Sequence, residues 1–221
     1  MTTILQRIFG LQGRPAPRKD VPVDETDFVV FDTELTGLDP KRDSIVSIGA
    51  LRMTGSRIEI GRPFYRIVEP RTRLTGKSIV IHGITPSETV GCPDMASLLP
   101  EFLEFCGDRI LVGHFIGLDI GFVNAEMKKT MGRTLENLAI DTISLYRTIR
   151  QCDTDRCAFY DEKSEDAGLY NLARRYGVQT MEAHNALGDA YVTAQLFQRF
   201  IKILQGRGNR SMGELLRAGR P

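Results

Sequence analysis

The chain has almost no excess of either charge: 29 Lys and Arg against 28 Asp and Glu leave +1 over 221 residues. No global basic field advertises a nucleic-acid partner. Cysteine is scarce as well. Cys92, Cys106, Cys152 and Cys157 form no dense framework, which points to a reducing compartment. Cys152 and Cys157 have the spacing of half a zinc site, yet no second Cys or His pair follows, so they read as ordinary thiols. Long apolar runs are missing too: the longest charge-free one, Ile110 to Leu118, has nine residues, against the ~18 of a membrane span. Residues 1–13 lack the basic start, apolar block and cleavage site of a secretory signal. A cytoplasmic protein with no membrane contact is expected. The length excludes a complete polymerase with palm, fingers and thumb, since one domain takes ~100–200 residues.

What the chain does contain is a sizeable core, with 42% hydrophobic residues, 26% charged and a mean hydropathy of -0.17. Residues 1–26 read as a basic extension with an apolar stripe (Ile4, Leu5, Ile8, Phe9, Leu11) that docks locally or frays rather than docking on a partner, and residues 204–221 as a basic tail. Between them, Phe28-Val29-Val30-Phe31 has the continuous apolar character of a central strand. Ser44 to Met53 and Arg57 to Val68 are two further strands, joined by a tight turn at Thr54-Gly55-Ser56. An antiparallel meander follows from three strands in succession. Helices are predicted over Pro93–Cys106, Leu118–Met131, Asp141–Arg150, Leu169–Tyr176 and Asn185–Leu204, with strands at Arg109–Val112 and Leu138–Ile140. This pattern gives an α/β fold on a mixed sheet. The loop at 151–168 carries six acids against two bases and reads as a solvated surface segment.

Asp32 and Glu34 stand two apart at the end of the apolar strand, so both carboxylates share a face. Alone, such a pair also fits a solvent-facing strand end. Asp119 begins an otherwise apolar helix, where the helix dipole would also explain it. His114, four residues after Ile110, reads as a structural strand-end histidine. His184 precedes Asp189 by five residues, and Ala186, Gly188 and Ala190 keep the space around them small. Four acids from three distant segments suit two hard divalent cations, Mg²⁺ or Mn²⁺. A neutral histidine beside them supplies a general base, and the reaction class that follows is phosphodiester hydrolysis.

Three ordered segments carry a family likeness: Asp32-Thr33-Glu34-Leu35-Thr36-Gly37-Leu38, Gly113-His114 through Asp119, and His184-x4-Asp189. They resemble the motifs of the DEDDh (DnaQ-like) 3′→5′ exonucleases across residues 27–203. Ile81-His82-Gly83-Ile84-Thr85 and the Ala190 to Phe197 helix agree as well. The resemblance implies an RNase H-like five-stranded mixed sheet, antiparallel meander plus parallel strands, flanked by helices. It also implies Asp32, Glu34, Asp119 and Asp189 as metal ligands, with Glu34 and His184 catalytic. Thr33, Leu35 and Thr36 would border the terminal nucleotide, with His82 and Asp141 as structural supports. Two departures stand out: Phe115 occupies the place of the family's Asn, and Leu118 that of its aromatic.

The expected activity is release of nucleoside 5′-monophosphates from nucleic-acid 3′ ends, DNA before RNA, in proofreading or repair, alongside a DNA polymerase or another replication or repair protein. RNA 3′ trimming in the manner of an oligoribonuclease or RNase T is the alternative, and a non-catalytic binding module the third reading. Charge placement refines the opening sum. Residues 1–23 carry four bases and one acid and residues 202–221 five bases and one acid, which leaves twenty bases against twenty-six acids between them.

Overall fold

The computed structural model of the chain describes residues 20–154, 167–180 and 184–221. The N-terminal apolar stripe, Cys157 and most of the acidic loop lie outside the described residues. Strands β1 (Asp27–Leu35), β2 (Ile45–Thr54), β3 (Arg57–Ile67), β4 (Ile110–Gly113) and β5 (Ala139–Asp141) form one sheet in the order β3-β2-β1-β4-β5. The helices are α1 (Gly76–His82), α2 (Pro86–Thr89), α3 (Met95–Cys106), α4 (Gly117–Met131), α5 (Thr142–Thr154), α6 (Leu169–Arg175), α7 (Ala186–Gly206) and α8 (Met212–Ala218). β1 to β3 pair antiparallel as the expected meander, while β4 runs parallel to β1 and β5 parallel to β4. None of these helices is long and apolar enough to cross a membrane.

The apolar run of β1 follows from its central place, because its alternate side chains enter two separate cores. Phe28 and Val30 pack with Phe197 and Phe200 of α7, and Phe28 meets Phe197 edge-on at 5.1 Å between ring centres. Val29 and Phe31 pack with Leu99 and Phe102 of α3 and with Phe122 and Val123 of α4. A strand covered on both faces has no polar side to display. Where the apolar run stops, the two-sided alternation continues into the acids.

Two features differ from expectation. Residues 76–89 hold α1 and α2, helices too short to display a 3.6-residue period; caps mark them instead, with Thr75 accepting from the Ser78 N–H and Thr85 paired with Glu88. Residues 204–221 do not stand apart as a tail. Ser211 caps α8, whose Met212 and Leu215 are buried in the same core as Phe197 and Phe200. The Asp141 N–H donates to the Gly219 carbonyl at 2.7 Å, so the chain end covers the outer edge of β5. Met212 N–H donates to the Val21 carbonyl at 2.9 Å, and Val23 N–H to Arg210 at 3.1 Å. These bonds tie residues 21–23 to the start of α8. Apolar residues three apart on a short helix gain their burial only by folding back on the body.

Candidate active site

At the end of β1 the pleat sorts Asp32-Thr33-Glu34 between the two layers. Asp32 and Glu34 continue the face of Phe28 and Val30, toward α7; Thr33 continues the face of Phe31, toward α4. Asp189, in the first turn of α7, completes the first group. One carboxylate oxygen each from Asp32, Glu34 and Asp189 lie within 4.8 Å of one another. The start of α7 is fixed by Asn185, whose Oδ1 accepts from the Leu187 and Gly188 N–H groups at 3.1 and 3.2 Å. Gly49 on β2 lies opposite Asp32, and a Cβ there would overlap the backbone of Ala186 and Leu187. Only glycine at this register position lets α7 approach the sheet closely enough to deliver Asp189.

Asp119 arrives from the other layer. Its Oδ1 accepts from the Thr33 N–H at 3.0 Å and from the Thr33 hydroxyl at 2.5 Å. It stands outside the tight group of three, yet its charge acts on Asp32. Glu34, Asp119 and Asp189 are each at most 7% exposed. Burial, then the charges of Asp119, Asp189 and Glu34, push Asp32 well above the usual carboxylate range. Burial and the two aspartates lift Glu34 to about 8. Burial likewise lifts Asp119 to about 7, against the hydrogen bonds from Thr33, and raises Asp189 against the bond from Tyr170. Among the described residues the ion pairs are Arg42–Asp39, Arg66–Glu101 and Arg71–Glu126, none at these four acids. Crowded, desolvated carboxylates without a lysine or arginine fit a hard divalent cation, which satisfies several at once. Divalent metal use goes with this donor set.

A cleft of about 390 Å³ opens on the acids, lined by Asp32, Asp189, His114, Tyr170 and His184 among others. His184 is exposed and sits in the left-handed region with φ 64°, just ahead of Asn185. His114 forms the wall: Nδ1 lies 2.9 Å from the Thr142 hydroxyl and Nε2 2.9 Å from the Ala167 carbonyl. Burial pushes its pKa down to about 4, so the ring is neutral and Nε2–H donates to Ala167. Asp141 accepts at one oxygen from Phe115 and Ile143 N–H groups, each at 3.0 Å. The first of these bonds holds Phe115 at φ 56°. His82 is buried, its Nδ1 accepting from Ile84 N–H at 3.1 Å.

The residues expected at the terminal nucleotide have their side chains engaged within the fold. Thr33 holds Asp119, Leu35 packs on the α3 and α4 core, and the Thr36 hydroxyl accepts from Ser44 N–H at 3.0 Å. Sequence reasoning missed Tyr170, whose hydroxyl donates to Asp189. A single tyrosine on a helix read for its apolar spacing carries no signal of a partner nineteen residues on. Gly49 was missed for a similar reason, since its meaning lies in what packs over it.

The pattern of the exonuclease family (RNase T) matches residues 29–197. The chain is 35% identical over 178 residues to the DNA polymerase III subunit epsilon of Aquifex aeolicus, covering 80% of each. It is 32% identical over 220 residues to a PolC-type DNA polymerase III of Thermotoga maritima, covering 96% of this chain but 15% of that protein. It therefore spans only a small part of the PolC-type relative. Among solved structures, the zinc-bound E. coli ExoI–ssDNA complex superposes with a TM-score of 0.68 at 19% identity, over 83% of this chain and 42% of that one. That likeness bears on the fold alone, and the fold is RNase H-like. With motifs, sheet order and matched span in agreement, the chain belongs to the exonuclease family, among its DnaQ-like 3′→5′ members.

Proposed function

We propose that this chain is a metal-dependent exonuclease that shortens DNA from its 3′ end and releases nucleoside 5′-monophosphates, in proofreading or repair. The observation that carries the reading is the convergence of Asp32, Glu34 and Asp189 within 4.8 Å, beside Asp119, in a cleft that His184 lines. Asp32, Glu34, Asp119 and Asp189 would hold two Mg²⁺ or Mn²⁺ ions, which supply a charge that activates water and offsets the charge of the leaving oxygen. His184, on the open side of the cleft, takes the proton of the attacking water. Thr33 keeps Asp119 turned toward Asp32. With their side chains engaged, Thr33, Leu35 and Thr36 border the terminal nucleotide through the backbone. DNA is favoured over RNA because the relatives carry the names of DNA polymerase III components, and the same names support a polymerase or another replication or repair protein as partner.

The test is a panel of 3′-labelled oligonucleotides, DNA and RNA, paired and mismatched at the end, with Mg²⁺ or Mn²⁺. Labelled mononucleotide should appear from DNA, faster from mismatched ends, and disappear with Asp32→Ala. Faster release from RNA would redirect the reading to RNA trimming. Metal-dependent release that survives Asp32→Ala would refute the site.

A further inference from the structure

We infer that Tyr170 is a positioning residue of the acidic site: its hydroxyl couples the Asp189 carboxylate to the turn that carries His184. Resting on the reading of Asp189 as a metal ligand and His184 as the base, the inference has its own observations. The Tyr170 hydroxyl donates to Asp189 Oδ1 and accepts from the His184 backbone N–H at 3.2 Å. The same N–H also acts on the Asp189 carboxylate. The Tyr170 and His184 rings lie 5.8 Å apart. One phenol therefore touches the carboxylate, the backbone and the imidazole of two functional residues that are five positions apart in sequence.

The arrangement answers a local problem. His184 holds φ 64°, a backbone state that a non-glycine residue adopts only with support from its surroundings. The N–H to Tyr170 bond and the ring contact provide such support. Asp189 faces the opposite difficulty, because burial opposes its charge while carboxylate oxygens of Asp32 and Glu34 lie within 4.8 Å of its own. A phenol donor stabilises the carboxylate and fixes one of its oxygens, which orients the other. Tyr170 is itself anchored, because His114 Nε2–H holds the Ala167 carbonyl just ahead of α6. The cleft wall thus transmits its position through Tyr170 to the acid and the base.

The chain has no tryptophan and six tyrosines, so tyrosine emission is directly readable. A phenol hydrogen-bonded to a carboxylate is quenched, and a cation that takes up the Asp189 charge through the other oxygen relieves the quenching while the bond keeps its place. Titrating the metal-free protein with Mg²⁺ should raise tyrosine emission in the wild type, and Tyr170→Phe should lack that rise while calorimetry still records Mg²⁺ binding, weakened about 10- to 100-fold. In turnover, Tyr170→Phe should lower kcat by about 10- to 100-fold and leave KM for the oligonucleotide within about 2-fold. A purely structural role would lower Tm and leave kcat per folded molecule unchanged, which overturns the proposal. So does a wild-type emission that stays constant while calorimetry shows Mg²⁺ to bind, a measurement that needs no variant. If the wild type binds Mg²⁺ with the emission change but releases no nucleotide, the exonuclease reading fails and the Tyr170–Asp189 coupling stands.

Discussion

His184 occupies a position that suits proton transfer more than metal ligation. It lines the cleft and is exposed, but it does not join the group of ligand atoms that Asp32, Glu34 and Asp189 bring together. His184→Ala should lower turnover by ~10²–10⁴ and leave Mg²⁺ binding intact by calorimetry; loss of binding would make it a ligand. The carboxylates lead to a pH prediction. The fold lifts Glu34 from its ordinary 4.5 to about 8, so the folded state holds that proton more tightly than the unfolded chain. The resulting stability is complete below about 4.5 and is lost as pH climbs through about 8. Melting of metal-free protein should therefore show Tm falling across this window, and the increase in Tm with Mg²⁺ should grow across the same window as protons give way to the ion. Glu34→Gln should flatten the curve, and a Tm that rises with pH through the window would contradict this account. At this scale the acids were legible because a carboxylate in an apolar run is conspicuous, whereas the phenol of Tyr170 and the hydroxyl of Thr33 acquire meaning only through partners that the fold supplies.

The two elements that meet at the site, β2 and α7, depend on one missing side chain. Gly49 pairs with Asp32 across the sheet, and the first turn of α7 rests on its open space. Gly49→Ala forces Ala186 and Leu187 outward and carries Asp189 with them. The expected cost is about 1–3 kcal/mol of stability, seen as a lower Tm, with a loss of turnover larger than the shift in folded population explains. Wild-type kcat at unchanged Tm would show that α7 has room to spare. Strands and long helices were readable as elements because their period repeats several times, as in the face of Met95, Leu98, Leu99, Phe102 and Phe105 that marks α3. α1 and α2 were not, since their caps at Thr75 and Thr85 resemble ordinary turn residues until the helix behind them is known.

For the whole molecule, the distribution of charge along the chain was legible, but the partners that the fold gives those charges were not. Arg207, in the segment counted as a basic tail, donates to the Ile149 carbonyl at 2.8 Å and so helps to hold α5. The chain end is part of the body because β5 is an edge strand, and its Asp141 N–H donates to the Gly219 carbonyl. Asp141 in turn holds the Phe115 N–H beside the cleft wall, which places α8 two bonds from the site. Leu215 is the buried anchor of that helix, 1% exposed. Leu215→Ala should cost about 2–5 kcal/mol through lost burial and the cavity left behind. Its effect on function should be indirect. Well below the lowered Tm, kcat and KM should stay within about 2-fold of wild type, because no group that touches the acids has moved. Close to that Tm, activity should fall in step with the folded fraction followed by circular dichroism. An unchanged Tm would mean that α8 adds nothing to the core, and a loss of kcat far below Tm would mean that the chain end reaches the acids by more than the Asp141 link.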